Sequence, residues 1–462
     1  MGSSAVSDTV PGSGAAAVFT LADLAGGGVS TPAGGALGGV ASAAVARAGE
    51  LGLPTVRDEE WRYTNPLRVV EGPYTLPREA VDAGWSGMEE PRLDGVGGVR
   101  LVFVDGRFSA GLSELGGLPD GLEIAVLGDD GDGGVVDAAR DVLSEGVSSA
   151  RDGFEALGAG LTSGGVVVRV ASGVKLGQPI VVRFLTRGLG SGGEGGAGLL
   201  TSPTVVILAG EGSECTVVED HQSPEGACGL SLGRGEIRAS SGAVVKHLMI
   251  ERESSGRHFV STLRVRQDGE SVVRSHRMLL GGAVVRNNIH STIEGEGADA
   301  EFNGLFVPDG SQHHDTHIRI EHMEPGCTSR QYYRGLLSDT SRGVFTGRIY
   351  VRDEAQKTDA IQSNSNLLLS PRAQVTAKPQ LEIYADDVRC THGATSGMFD
   401  EDALFYLMSR GIDRKTSRLL LLHAFAGENI DRILDGELRE LVRGLVFGKL
   451  DAALDRVDSS SP

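Results

Sequence analysis

Cys390 and His392 stand one residue apart in the stretch YADDVRCTHGATSG, residues 384–397. On a strand, side chains at i and i+2 project from the same face, so a thiol and an imidazole would stand side by side. Several chemistries are open to such a pair. A Cys-His nucleophile would also need an orienting group and a substrate pocket. A zinc site would need two more ligands at a spacing the segment lacks. Iron-sulfur clusters take thiolate ligands, with His replacing Cys in some cases. Two ligands on one strand are an incomplete set for iron as for zinc, so the remainder would have to come from another chain. The plain alternative is a buried cysteine and a hydrogen-bonded histidine at a domain seam.

A second cluster, SQHHDTHIRIEH, holds His313, His314, His317 and His322. As a strand it places His313, Asp315, His317, Arg319 and Glu321 on one face and Ile318 and Ile320 on the other. A metal site is one reading. The arginine in the row opposes a cation, which favours a solvated, mixed-charge sheet face with its isoleucines inside. Nucleotide hydrolysis has no support: the nearest approach to a phosphate-cradling GxxxxGK loop, GLVFGKL at 444–450, is one residue short and ends in Leu within a helical pattern.

These residues must be positioned by a chain of 462 residues, enough for roughly two to four domains or one repeat array. The formal charge of −19 argues against a surface that tracks nucleic-acid phosphates. No run approaches the roughly 18 apolar residues of a membrane span, so a soluble protein is expected. The four cysteines, Cys215, Cys228, Cys327 and Cys390, form neither a CxxC nor a dense framework. Reduced thiols in the cytoplasm are therefore expected, with a plastid stroma as the other compartment of that kind.

Residues 1–46, rich in Ala, Gly and Ser, read as a flexible tail, and 47–160 as a mixed α/β domain that includes EEWRYT (59–64). Over 161–397 β-branched runs closed by Gly, Ser or Asp follow one another. Within them Gly212, Gly242, Gly269, Gly297 and Gly326 recur at intervals of 30, 27, 28 and 29. Steady spacing in that range is the mark of a solenoid, here a β-solenoid stacked coil on coil. The insert GLGSGGEGGAG (188–198) reads as a flexible loop. Residues 398–462 are helical. Asp400 suits the N-cap of the first helix, Gly411 its C-terminal stop, and Leu404, Phe405, Leu407 and Met408 its apolar face. Further helices start near Asp413, ending near Gly427, and run through LDGELRELVRGLVFGKLDAAL.

Residues 357–412, from KTDAIQSNSNLLLSPRAQ to DALFYLMSRGI, closely resemble the C-terminal signature of SufD-type members of the SufB/SufD family, part of the SUF iron-sulfur cluster assembly scaffold. EEWRYT resembles their N-terminal signature, and RNNIHSTIEGEGADAEFNGLF, EHMEPGCTSRQYYRGLLSD and SRGVFTGRIYV resemble segments shared across the family. The resemblance implies a right-handed parallel β-helix with helical segments at both ends. It also implies a non-enzymatic scaffold subunit that pairs with SufB through the β-helix, while the ATPase SufC docks on the C-terminal helices. That docking surface would involve Phe405, Leu407, Met408 and Arg410, and the chain itself would bind no nucleotide. His392 falls on the family histidine, implied to ligate iron or a nascent cluster shared with SufB, and Cys390 on the neighbouring family cysteine. The competing readings are a purely structural interaction subunit and a β-helix enzyme acting on polysaccharide, against which the 5% aromatic content counts.

Overall fold

The structure, a computed structural model, describes residues 18–29, 37–77, 96–127, 134–162, 164–187 and 196–459. Its centre is a β-solenoid of about seven turns. Successive strands alternate between two sheets, so each coil contributes one strand to each. The first sheet ends at Gln374–Ile383 and the second at Arg389–Gly397. Neighbouring coils pair in parallel with residues directly over one another: Val245 lies beside Val273, Val273 beside Ala300, and Ala300 beside Ser329. Because the side-chain period is two, every second residue of each strand points between the sheets. Val166, Val182, Ile207, Val217, Ile289 and Phe302 are among the resulting core, each at most 1% exposed.

The glycine spacing marks one corner of each coil, with an instructive shift. Gly212, Gly242, Gly297 and Gly326 all have positive φ, but the third corner is Glu270 (φ 57°) rather than Gly269, and the sixth is Lys357 (φ 60°). These corners are stitched together: the Gly242 N–H donates to Gly269 O, Glu270 to Glu296 O and Gly326 to Gln356 O, each at 2.9 Å. The fold can hold a non-glycine residue in the left-handed region, at a cost of order 1 kcal/mol, where the corner's neighbours fix its conformation.

Two expectations are corrected. Residues 1–46 are not wholly a tail, since helices Leu21–Ala25 and Gly38–Leu51 fall within or begin in them. The first has a reciprocal cap between Thr20 and Asp23. The second uses its small side chains for close packing: a Cβ on Gly160 would lie 1.9 Å from that of Ala44. Nor does the fold divide at 160. Val99–Val104 pairs with Ile180–Leu185, and Leu122–Leu127 with Gly164–Val170, so both extend the sheets. The loop read at 188–198 lies, for 188–195, outside the described residues.

Helices cover the outer faces of the sheets. Leu143, Val147 and Ala159 pack on Val167 and Val206 of the first sheet. Leu422, Ile430, Val442 and Val446 pack on Val218, Ile250, Met278 and Leu305 of the second. Asp400 caps Glu401–Ser409 by accepting from Asp402 and Ala403 N–H, and Gly411 (φ 87°) follows its end, as their types predict. The next helix, Arg414–Ile430, runs three residues past the stop read at Gly427, and Gly444–Leu450 lies inside Gly436–Ser459. No helix among the described residues is long and apolar enough to cross a membrane.

Candidate functional site

Cys390 and His392 lie on the second sheet's last strand, paired on one side only, with Asp359–Leu368. Register and alternation fix which way they point. Ser396 accepts from the Asn366 amide inside the lumen at 3.3 Å, whereas Thr395 bonds to Ser365 on the outer face. Residues 390, 392, 394 and 396 therefore share the inward face, with Cys390 beside Ala360 and His392 beside Gln362. Among the described residues the helices lie along the sheets and leave this end of the solenoid open. His392 is consequently exposed, and Cys390, resting against Ile349, Val351 and Ala385, is half-buried.

This difference in burial separates the two ligand candidates. Burial pushes the Cys390 thiol up from its ordinary value, with Asp359 adding to the effect and the Ala360 backbone opposing it. The thiolate is the ligating form, so at neutral pH Cys390 is mostly withheld as a thiol. An imidazole needs only its neutral form to donate a lone pair. Among the described residues no group of three or more His, Cys, Asp or Glu side chains is arranged to hold a metal ion.

Four residues beyond Gly397 the chain enters helix Glu401–Ser409. Only Leu404 of its expected apolar face is buried; Leu407 is half-buried. Phe405 is 74% exposed, Tyr406 57% and Met408 40%, and the Arg410 guanidinium sits over the Tyr406 ring at 5.1 Å. With Met398 60% exposed nearby in sequence, this is a concentration of large apolar side chains facing outward.

The histidine cluster resolves differently from the sequence reading. Ile318 and Ile320 do face the core, at 2% and 0% exposure; the opposite face is solvated only in part, Arg319 and Glu321 staying half-buried while Asp315 and His317 are covered. The EEWRYT segment lies on it. Glu60 accepts from His317 at 2.9 Å, Thr64 bonds to His313 at 2.8 Å and to Asp315, and Asp315 pairs with Arg286 at 2.5 Å. The Arg286 guanidinium lies 4.4 Å from the Trp61 ring centroid and donates to the Glu60 carbonyl. Burial would raise the Asp315 carboxyl, but Arg286 and His317 outweigh it and hold it well below the usual carboxylate range. Glu60 is lowered to about 2, chiefly by the His317 hydrogen bond. His313, Asp315 and His317 thus form a structural lock, while His314 and His322 bond within the solenoid to Gly281 O and Ser329. The lock's partners lie some 250 residues apart, and no local pattern could have joined them.

The description "SUF system FeS cluster assembly, SufBD core domain" belongs to a protein family whose model matches residues 192–425. Over 86% of this chain and 90% of its counterpart, the sequence is 32% identical to the iron-sulfur cluster assembly protein SufD of Escherichia coli (strain K12). It is 30% identical to a SufBD family protein of Synechocystis sp. over 85% of this chain and 88% of that one. It is also 33% identical to protein ABCI7, chloroplastic, of Arabidopsis thaliana over 62% of this chain and 60% of that one. The chain belongs to the SufBD family of SUF-system iron-sulfur cluster assembly proteins, on the SufD side of that family.

Proposed function

We propose that this chain is a non-catalytic scaffold subunit whose open solenoid end pairs with a SufB-type subunit, and that His392 takes part there in holding a nascent iron-sulfur cluster. The observation that carries the reading is the combination at the last coil: an exposed, inward-facing imidazole beside an unpaired sheet edge. An edge strand presents unmet N–H and C=O groups and is a template for another chain. Proteins that must avoid such pairing blunt the edge with proline or charge. The first sheet's final strand contains Pro379, and its Lys378 is tied to Glu59. The second sheet's final strand, RCTHGATSG, contains no proline and no Lys, Asp or Glu, with Arg389 at its start. It suits pairing, and pairing would bring a partner's ligands to His392, completing the set that this chain leaves partial. The cluster is cargo: a borderline imidazole ligand with Cys390 as a second, largely protonated group holds iron less tightly than a closed thiolate set, which suits release.

The outward face of Phe405, Leu407 and Met408, with Arg410, supports docking of a SufC-type ATPase, which would supply the nucleotide-driven step. A cytoplasmic or stromal setting fits the free thiols. Anaerobic coexpression with SufB- and SufC-type subunits tests the two surfaces separately. Ala394→Pro, placed on the exposed edge, should abolish copurification of the SufB-type subunit and spare the ATPase. Phe405→Ala with Met408→Ala should do the reverse. Retention of both partners by both variants would remove the assignment of these surfaces.

A further inference from the structure

The interior of the solenoid changes character along its length. In the early coils the inward residues are aliphatic or aromatic, as at Val166, Val182 and Ile207. Polar side chains enter at Glu219, beside Val182 in register, with His221 and His247, and in the last three coils two adjacent columns are largely polar. One column runs Gln331, Gln362, His392, adjacent in register from coil to coil. Its neighbour runs Tyr333, Asn364, Ala394.

Protein groups do not close the hydrogen bonding of these columns. Gln331 is 0% exposed, and neither of its amide atoms has a partner among the described residues. Gln362, 1% exposed, donates to Gly347 O at 3.3 Å, while its Oε1 has no donor. The Tyr333 hydroxyl, on a side chain 2% exposed, is also unpartnered. Leaving one such group unmet costs about 1–3 kcal/mol, and native proteins meet nearly all of them, through protein or through bound water. Apolar side chains of similar size would avoid the cost. Glycines make room for these side chains themselves. A Cβ on Gly347, on the facing sheet, would lie 2.2 Å from the Gln362 amide nitrogen, and one on Gly304 would lie 2.2 Å from the Tyr333 ring. The ring therefore rests over Gly304 within electrostatic reach of Arg277, which partly offsets the rise that burial imposes on the phenol.

We infer that the last three coils hold a file of bound water on Gln331, Tyr333 and Gln362, opening at the solenoid end beside His392. Each orphaned group supplies a polar contact, and a water in such a site needs two to four of them. The inference deepens the reading of that end as a shared assembly site, and its functional meaning rests on that reading. Once a partner subunit covers the end, internal water still reaches the covered groups from behind.

The test uses the isolated full-length chain, perdeuterated and labelled with ¹⁵N-glutamine, transferred into D₂O and followed by NMR. Gln331→Leu and Gln362→Leu identify the two side-chain amide signals by their loss. Both signals should exchange about 100-fold faster than the backbone amides of Thr328–Leu337 and Asp359–Leu368, because water reaches them without opening of the strands. Exchange as slow as the strand amides would show a dry core and overturn the inference. Should either variant fail to fold, high-resolution diffraction from the parent protein decides: ordered water within hydrogen-bond distance of the Gln331 amide is expected, and its absence overturns the proposal. Neither measurement involves a partner, so a failure here leaves subunit pairing standing, and a failure to copurify leaves the water file standing.

Discussion

Replacing Arg286 by methionine keeps most of the side-chain volume and removes the charge that the lock between the EEWRYT segment and the solenoid is built around. The Arg286 and Asp315 side chains are 2% and 1% exposed, so neither charge has water to fall back on. Removing one partner of a buried pair costs about 3–5 kcal/mol where the survivor is left uncompensated; Asp315 keeps His317 and Thr64, which puts the loss toward the lower end. The lost stacking on Trp61 adds ~1 kcal/mol. Asp315→Asn should be costly for the mirror-image reason, whereas the double variant leaves no orphaned charge and should recover at least about 2 kcal/mol relative to additivity. The pH dependence follows from the sign of the shift. The folded-state pKa of Asp315 is depressed, so its contribution is present above the unfolded value of 3.8 and lost as pH falls below it. Without Arg286 the carboxyl titrates higher, so the deficit of Arg286→Met should be largest near neutrality and shrink toward about pH 4. In a Trp85→Phe background, urea unfolding followed by Trp61 fluorescence and by far-ultraviolet circular dichroism reads the local lock and the solenoid separately. The fluorescence transition should move further than the dichroism transition. Arg286→Met as stable as the parent, or a double variant no better than the additive sum, would refute the reasoning.

Two further outcomes follow from the packing and the charge. Gly304→Ala drives a methyl into the Tyr333 ring in a core without slack, so thermal stability should fall by the equivalent of about 1–3 kcal/mol, and Tyr333→Leu in the same chain should restore part of it. Burial and the neighbouring Glu253 push the Glu251 carboxyl up to about 8. Between 4.5 and that value the fold binds a proton that the unfolded chain lacks, so this group's contribution to stability declines as pH rises through the window. The melting temperature of the parent should drop across that range, and Glu251→Gln should flatten the drop; an unchanged pH profile in the variant would remove Glu251 as its cause.

Much of the fold was legible because its signals are local. Strand alternation put Ile318 and Ile320 inside and His313 and His317 on the opposite face, and Asp400 and Gly411 bounded a helix by capping chemistry alone. The corner spacing was readable through glycine. It slipped at Glu270, where the surrounding coil imposes a left-handed conformation that residue type does not advertise. The Ala-rich start misled because small residues serve flexibility and close helix packing alike, and only the proximity of Ala44 to Gly160 tells them apart. The lock on the histidine face was out of reach because Glu60 and His317 meet only after the whole solenoid has formed. At the candidate site, the i, i+2 spacing placed Cys390 and His392 on one face. That the face looks into an open lumen depends on where the helices settle, and the coil-end position of the strand emerges from the pairing of the strands before it.

The most direct test of the central claim is the iron and acid-labile sulfide content of the anaerobically purified complex carrying His392→Ala, measured beside the parent and Cys390→Ser at equal subunit stoichiometry. His392→Ala should retain its partners and lose most of the iron and sulfide, while Cys390→Ser should lose less. A His392→Ala complex with the parent's iron and sulfide would contradict a ligand role for His392.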